Sequence, residues 1–184
     1  MTDVQSRIDP LVWGHGPRLL EAFLEPTCPY SGRSFPKLFE VLDELGEDRI
    51  TLRIWLHSQP WHMYSGVIVR AIFAAATLPA GKEAARTALA AVVANREEFE
   101  FEGHATGPNR EATPNDIIRR LEAHSRLALK DAFDLPGLDK AVRRDTRYAR
   151  QNGIHVSPSF MIDGFVEPGM SSGDAVADWV ARLR

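Results

Sequence analysis

The stretch FLEPTCPYS, residues 23–31, contains the only cysteine of the 184-residue chain. An apolar run ends there at the turn-like residues P-T-C-P, and Pro29 suits the first turn of a helix. Cys28 is therefore predicted to lie between a strand and a helix, where unpaired backbone N–H groups and the helix dipole favour a thiolate. A buried, unreactive cysteine is the alternative, because free cysteine is among the most buried residue types.

Three elements are predicted around and after this stretch. They are a buried strand over 18–25, a helix over 31–46 and a half-buried strand over 49–57. Apolar residues at helical spacing before Gly46 indicate the helix, and alternating apolar and polar residues indicate the second strand. This alternation places Trp55 on the less buried face of that strand.

The C-terminal part of the chain predicts a second set of elements. Residues 135–153 have an amphipathic helical pattern that stops at Gly153. The segment SPSFMIDGFVE, residues 157–167, predicts two short strands that turn at Asp163–Gly164. An amphipathic helix over residues 173–184 closes the chain.

Helical patterns fill the middle of the chain. Alanine-rich amphipathic runs over 64–78 and 82–95 are separated by the breaker P-A-G. Thr113 is typical of a helix N-cap, and the helix that follows it is predicted to extend to about Ala132.

The order of the elements predicts an α/β fold with a mixed sheet. A βαβ half is followed by a ββα half, and the helical block is inserted between them. The predicted division is one α/β domain from residues 1–61 and 134–184 and a helical insertion lobe over residues 62–133.

These segments resemble those of DsbA-like members of the thioredoxin-fold superfamily. FLEPTCPYS is similar to the family's strand, short loop and C-P-x-C helix start, and GIHVSPSFMIDG, residues 153–164, is similar to its cis-proline segment. The resemblance covers roughly residues 18–184 and implies a thioredoxin-like fold with an inserted helical lobe. It implies that Cys28 is the attacking cysteine and that a cis-proline, Pro158, lies beside it and leaves the backbone of Ser157 free to pair with a substrate. An ordinary trans proline that opens a strand is the alternative.

Ser31 stands where dithiol members of the family have their second cysteine, which resolves the mixed disulfide. Because a hydroxyl cannot do so, the resemblance implies a monothiol thiol-disulfide oxidoreductase, or a disulfide isomerase-like protein. Cys28 would form mixed disulfides with protein or small-molecule disulfides, and an external thiol such as glutathione would release them. Ser31 is a second catalytic candidate as a hydrogen-bond donor to the thiolate, or it is only a helix-start residue. The predicted substrate-binding residues lie beside the thiol: Pro29, Tyr30, Ser157 and Pro158.

Two other functions are compatible with this pattern. A kappa-class glutathione transferase also inserts helices into a thioredoxin fold and holds glutathione at an S-P-Y-S-like motif. The F-x-G-x-D-R segment that we associate with that class does not follow the hairpin here, where the sequence is FVEPGMSS. A non-catalytic thioredoxin-fold module that binds peptides at the Pro158 face is the other alternative.

The segment HSQPWH, residues 57–62, brings two histidines just after the second strand. Their spacing is not that of a zinc site, and no metal site is predicted. Trp61 is expected to pack the lobe onto the core, and the lining of a substrate groove by Trp61 or His62 is the alternative. His155, three residues before Pro158, is expected to be a loop residue, and an imidazolium near the thiol is the alternative.

The composition excludes several classes of protein. A net charge of −3 with a pI near 6.1 argues against a dedicated nucleic-acid or anionic-membrane binder. Residues 1–17 lack the basic and then apolar layout of a signal peptide, and the longest apolar stretch is too short to span a bilayer. A cytoplasmic location is therefore expected, where thiols stay reduced. No bound cofactor is predicted, and glutathione or another external thiol is the expected co-substrate.

Overall fold

Five strands form one mixed sheet among residues 8, 10–100 and 111–184, the residues that this computed structural model describes. The strands are β1 (Leu11–Gly14), β2 (Arg18–Leu24), β3 (Ile50–Leu56), β4 (Ser159–Ile162) and β5 (Phe165–Val166). Their order across the sheet is β1-β3-β2-β4-β5. The β2–β3 pair is parallel and the other neighbouring pairs are antiparallel, so the predicted mixed sheet is confirmed.

Helices cover both faces of this sheet. They are α1 (Pro29–Leu45), α2 (Ser65–Ala76), α3 (Lys82–Ala94), α4 (Pro114–Ser125), α5 (Lys130–Phe133), α6 (Leu138–Gln151) and α7 (Val176–Leu183). On one face α7 packs beside α1, and the ring of Trp179 lies 4.9 Å from that of Phe160 between centroids. On the other face α6 packs against β3, and the ring of Tyr148 lies 4.3 Å from that of Trp55. Alternate residues of the central strands therefore enter two separate apolar clusters.

Two features of the sheet differ from the sequence-based prediction. The prediction missed β1, a four-residue strand that pairs antiparallel with β3 and places Leu11 opposite Ile54. The predicted partial exposure of Trp55 is wrong, because Phe23 and Tyr148 stack on it from neighbouring elements. Both features depend on long-range packing that a local sequence pattern does not report.

The helices α2–α5 lie between β3 and α6, as predicted for an inserted block. The predicted cap of α4 is confirmed: Thr113 Oγ1 accepts a hydrogen bond from Asp116 N at 3.3 Å, and the Asp116 carboxylate accepts one from Thr113 N at 2.7 Å. The predicted end near Ala132 is wrong, since α4 stops at Ser125 and Arg126 has a left-handed φ of 59°. Where the α/β domain ends and the lobe begins stays a prediction.

The hairpin of β4 and β5 turns at Asp163–Gly164, as predicted. The two residues have φ values of 49° and 85°, the positive pair that a two-residue type I′ turn requires. The Asp163 carboxylate also joins the turn to β2, since it accepts hydrogen bonds from Leu19 N at 2.9 Å and from Arg18 Nη1 at 2.6 Å.

One edge of the sheet brings together three segments that are distant in sequence. Leu24 and Leu56 are paired at the ends of the parallel strands β2 and β3, and His57 N donates to Leu24 O at 3.1 Å. Phe23 is paired with Ser159, so the beginning of β4 lies at the same edge. The loop before α1, the segment after β3 and the segment before β4 therefore meet beside one another.

Candidate active site

Cys28 occupies the N-cap of α1, as predicted from its place before Pro29. Its backbone is extended (φ −67°, ψ 125°), and its carbonyl accepts the first helical hydrogen bond, from Gly32 N at 2.9 Å. Only 5% of the residue is exposed, and none of the described side chains in the first turn of α1 is acidic. The thiol therefore lies at the positive end of a 17-residue helix without a carboxylate from that turn to oppose a thiolate.

The segment before β4 faces this thiol. The peptide bond between Ser157 and Pro158 is cis, which confirms the sequence-based prediction. Cys28 Sγ donates a hydrogen bond to the Ser157 carbonyl oxygen at a distance of 3.4 Å. The structure thus brings together the cysteine and the proline segment that the sequence predicted as one site.

Ser31 is buried, and among the described residues its hydroxyl forms a hydrogen bond with the backbone rather than with the thiol. Ser31 Oγ accepts a hydrogen bond from the backbone N–H of Glu25 at 3.3 Å, and the residue is 1% exposed. This contact joins the first turn of α1 to the chain that leaves β2. The predicted catalytic role of Ser31 stays a prediction.

A buried carboxyl lies next to the cysteine loop. Glu25 is 0% exposed, and its Oε2 accepts hydrogen bonds from Thr27 N and Thr27 Oγ1, both at 2.8 Å. Burial raises the pKa of Glu25 above its ordinary value, and attraction to His62 and the hydrogen bonds from Thr27 oppose this increase only in part. Sequence reasoning did not identify Glu25 as part of a buried polar cluster, because its burial depends on the residues after β3.

His62 connects this loop to the beginning of the lobe. Its Nδ1 lies 3.1 Å from Thr27 Oγ1, 3.6 Å from Glu25 Oε2 and 3.6 Å from Glu100 Oε1. The residue preceding Cys28 is therefore held by an imidazole from a different segment of the chain. His62 is therefore a neighbour of the site, and the groove-lining role that the sequence left open stays a prediction.

Gln59 is a site residue that the sequence did not reveal. It is 4% exposed; its Nε2 donates to His155 O at 3.2 Å, and its Oε1 accepts a hydrogen bond from Ser157 Oγ at 3.2 Å. A glutamine within H-S-Q-P-W-H carries no local signal of this contact, which exists only because the ends of β3 and β4 meet.

The other two histidines of interest differ in their surroundings. His57 is buried, and its Nε2 has no hydrogen-bond partner among the described residues. Burial and then repulsion from Arg150 lower the pKa of His57 to about 4, so the ring is neutral at neutral pH. His155 is exposed, and its backbone carbonyl accepts the hydrogen bond from Gln59, as expected for a loop residue.

Exposed apolar side chains occur on each of the three segments that meet at this edge of the sheet. Tyr30 is 54% exposed, Trp61 is 49% exposed and Val156 is 65% exposed. The expectation that Trp61 packs the lobe onto the core is therefore wrong. Tyr30 is partly ordered by Arg33, whose guanidinium carbon lies 4.6 Å from the ring centroid.

Metal-binding clusters and membrane-spanning helices are both absent from the described residues. No group of three or more His, Cys, Asp or Glu side chains is placed to hold a metal ion. Within the same part of the chain, no helix combines the length and the apolar character that a membrane crossing requires.

Solved structures include a relative of high sequence identity. A protein from Pseudomonas syringae that is provisionally assigned as a protein-disulfide isomerase is 62% identical, with 97% of this chain and 99% of that chain covered and a TM-score of 0.94. No protein-family model and no curated protein sequence matches this chain.

More distant structures share the fold. A thioredoxin-like oxidoreductase from Silicibacter pomeroyi is 19% identical, covers 100% of this chain and 98% of its own, and has a TM-score of 0.67. The thiol-disulfide exchange protein alpha-DsbA2 from Wolbachia pipientis is 11% identical, covers 98% and 89% of the two chains, and has a TM-score of 0.72. At these identities the similarity concerns the fold alone.

Proposed function

Because the chain belongs to the DsbA-like family of thioredoxin-fold thiol-disulfide oxidoreductases, we propose that Cys28 performs thiol-disulfide exchange alone and that an external thiol completes each cycle. The proposal is supported above all by the position of Cys28 Sγ, which lies at a helix N-terminus and 3.4 Å from the Ser157 carbonyl. The chain has no second cysteine, so no internal thiol displaces a substrate from Cys28.

The first step is attack of the Cys28 thiolate on one sulfur of a substrate disulfide. The bond between Cys28 Sγ and that sulfur forms as the substrate S–S bond breaks, and the second substrate sulfur leaves as a thiolate that takes a proton from solvent. The dipole of α1 stabilises the attacking thiolate, since its positive end lies at Cys28.

The second step releases Cys28 and depends on which external thiol attacks. When the substrate carries glutathione, reduced glutathione attacks the glutathione sulfur held on Cys28, and oxidised glutathione and the Cys28 thiolate are the products. When another thiol of the same protein substrate attacks the substrate sulfur, a new substrate disulfide forms without net oxidation or reduction. The first course is reduction and the second is isomerisation, and both need only one enzyme thiol.

The surroundings of Cys28 favour polypeptide disulfides as substrates. Exposed apolar side chains at Tyr30, Trp61 and Val156 offer contacts that a small disulfide does not fill. The cis-proline segment places the Ser157 backbone carbonyl beside the thiol, where a substrate strand can approach. The external thiol requires a reducing compartment, in keeping with the cytoplasmic location that the sequence predicts.

Intact mass spectrometry of the folded protein tests the proposal. The reduced protein is incubated with oxidised glutathione, and we expect one glutathionyl adduct on Cys28 that added reduced glutathione removes. The Cys28→Ser variant should remain unmodified. Catalysis is then followed as reduction of a glutathionylated peptide, with glutathione reductase and NADPH recycling the product.

Two results would contradict the proposal. One is a native protein that forms no adduct while its thiol is accessible to iodoacetamide. The other is an adduct that persists in reduced glutathione, since such a protein could not complete a cycle. A glutathione transferase, the alternative function, would be recognised by its conjugation of glutathione to an aryl halide.

A further inference from the structure

The side-chain amide of Gln59 joins the segment after β3 to the segment before β4. Its Nε2 donates to His155 O, and its Oε1 accepts from Ser157 Oγ, both at 3.2 Å. With 4% exposure, the amide is almost entirely withdrawn from water. A buried amide that lost these partners would leave unpaired polar atoms, so the contacts constrain both segments strongly.

Ser157 is held at two points by this arrangement. Its hydroxyl donates to Gln59, and its carbonyl oxygen accepts from Cys28 Sγ at 3.4 Å. A shift of Ser157 away from Gln59 would therefore also move the carbonyl that faces the thiol. Gln59 is therefore connected through Ser157 to the carbonyl oxygen that faces the thiol.

Gln59 is itself fixed by the beginning of the helical lobe. Its backbone N–H donates to Ser65 Oγ, the first residue of α2, at 3.1 Å, and its carbonyl accepts from His62 N at 3.1 Å. The side chain thus extends from a loop held by hydrogen bonds, with its donor directed at the backbone of His155 and its acceptor at the hydroxyl of Ser157. An apolar residue of similar size would fill the same space but could make neither of these two hydrogen bonds.

We propose that Gln59 is a positioning residue for thiol-disulfide exchange with polypeptide substrates. It holds Ser157 so that the backbone beside Cys28 keeps the orientation in which an extended substrate segment docks. The inference rests on the proposed function. A small disulfide reaches the thiol without docking on this backbone, so the effect of Gln59 is selective for polypeptides.

Three rate constants measured on the same proteins test this inference. They are alkylation of Cys28 by iodoacetamide, exchange of Cys28 with hydroxyethyl disulfide, and exchange with a synthetic peptide that carries a glutathionyl cysteine. In Gln59→Met we expect the peptide rate constant to fall about tenfold, as for one lost positioning hydrogen bond, and the other two to change less than about twofold. Ser125→Ala is the matched control, since it removes a buried hydroxyl that donates to Leu121 O within α4.

A double-mutant cycle identifies the contact responsible. Ser157→Ala alone should reduce the peptide rate constant selectively, and Gln59→Met combined with Ser157→Ala should be no slower than the slower single variant. Additive losses, an equal loss of all three rate constants, or an unchanged peptide rate constant would overturn the inference. If Gln59→Met does not fold, Ser157→Ala alone tests the inference. An unchanged peptide rate constant in Ser157→Ala would show that the hydrogen bond between Gln59 and Ser157 does not position the site for polypeptide substrates. Failure of the native protein to react with either disulfide would refute the proposed function instead.

Discussion

The thiol of Cys28 donates a hydrogen bond to the carbonyl oxygen of Ser157 at 3.4 Å, across 129 positions of the chain. Antiparallel pairing of Phe23 with Ser159 brings these residues together, because it places the end of β2 next to the beginning of β4. The reactive atom and the backbone that faces it therefore belong to different halves of the fold.

The Ser31→Cys variant should form an internal disulfide with Cys28. The two positions are three apart in the first turn of α1, and a disulfide needs a Cα separation of about 4.4–6.8 Å, which neighbouring positions in a helical turn provide. Mass spectrometry after mild oxidation should show loss of two hydrogens, and the variant should reduce insulin with dithiothreitol as the electron donor. Ser34→Cys, also buried but nearly two turns from Cys28, is the matched control and should keep two free thiols. Two free thiols in oxidised Ser31→Cys would mean that the site does not have the geometry of a dithiol centre.

The Tyr30→Ala variant should react more weakly with protein disulfides. Tyr30 is 54% exposed two residues after Cys28, so its ring is available to a docked polypeptide. We expect the KM for a glutathionylated protein to rise about tenfold, as for loss of one aromatic contact, and the rate with hydroxyethyl disulfide to stay within about twofold. Phe165→Ala removes a 79% exposed ring on β5 and serves as the control. An equal rise in KM for both variants would show a general loss of surface apolarity rather than substrate binding at Tyr30.

His57 should make the free energy of unfolding depend on pH. Its pKa is about 4 in the folded protein and 6.5 ordinarily, so between these values the unfolded chain binds the extra proton. The stability contributed by neutral His57 is fully present above about pH 6.5 and is lost as pH falls toward 4. The free energy of unfolding of the native protein should therefore decrease relative to that of His57→Gln by up to about 3 kcal/mol over this range.

Urea denaturation at several pH values measures this difference. Burial raises the pKa of Asp145 to about 6. This carboxyl has the opposite effect on the free energy of unfolding: the stability that it contributes is present at low pH, where it is protonated, and is lost as pH rises. Asp145 is present in both proteins, so its contribution cancels in the comparison. A difference between native protein and variant that does not change with pH would show that His57 titrates normally in the folded state.

The Asp163→Ala variant should be less stable, and Asp163→Asn much less affected. Asp163 has a φ of 49°, which alanine adopts at a cost and asparagine tolerates, and its carboxylate accepts a hydrogen bond from Leu19 N at 2.9 Å. We expect the free energy of unfolding to fall by about 1–2 kcal/mol for alanine, measured by urea denaturation. The ion pair with Arg18 is partly exposed and contributes little. If the free energy of unfolding falls as much in Asp163→Asn as in Asp163→Ala, the effect is due to the lost charge and not to the conformation of the turn.

Local patterns in the sequence were sufficient for most elements of the fold. The apolar pattern of β3, the helical spacing after Cys28 and the Asp163–Gly164 turn each depend on residues close in sequence, and the strand, the helix and the turn that they predict are confirmed. The alternation in β3 was wrong only for the exposure of Trp55. The placement of Cys28 at a helix N-terminus follows for the same reason, because Pro29 is a local signal. The family resemblance added the cis bond before Pro158, which composition and spacing alone could not provide.

The tertiary structure alone decided which side chains surround the thiol. Gln59 and His62 become neighbours of the Cys28 loop because parallel strands end at the same edge of a sheet, and no spacing in the sequence encodes that proximity. Glu25 is close in sequence, but its burial depends on the same segment after β3. Burial also depends on tertiary packing. Trp55 is covered by α6, whereas Trp61, only six residues later, remains exposed. The sequence determined where strands, helices and turns form, since those depend on neighbouring residues. Packing between distant elements determined the surroundings of the site, since burial, hydrogen-bond partners and pKa values depend on atoms that the chain brings together only when it folds.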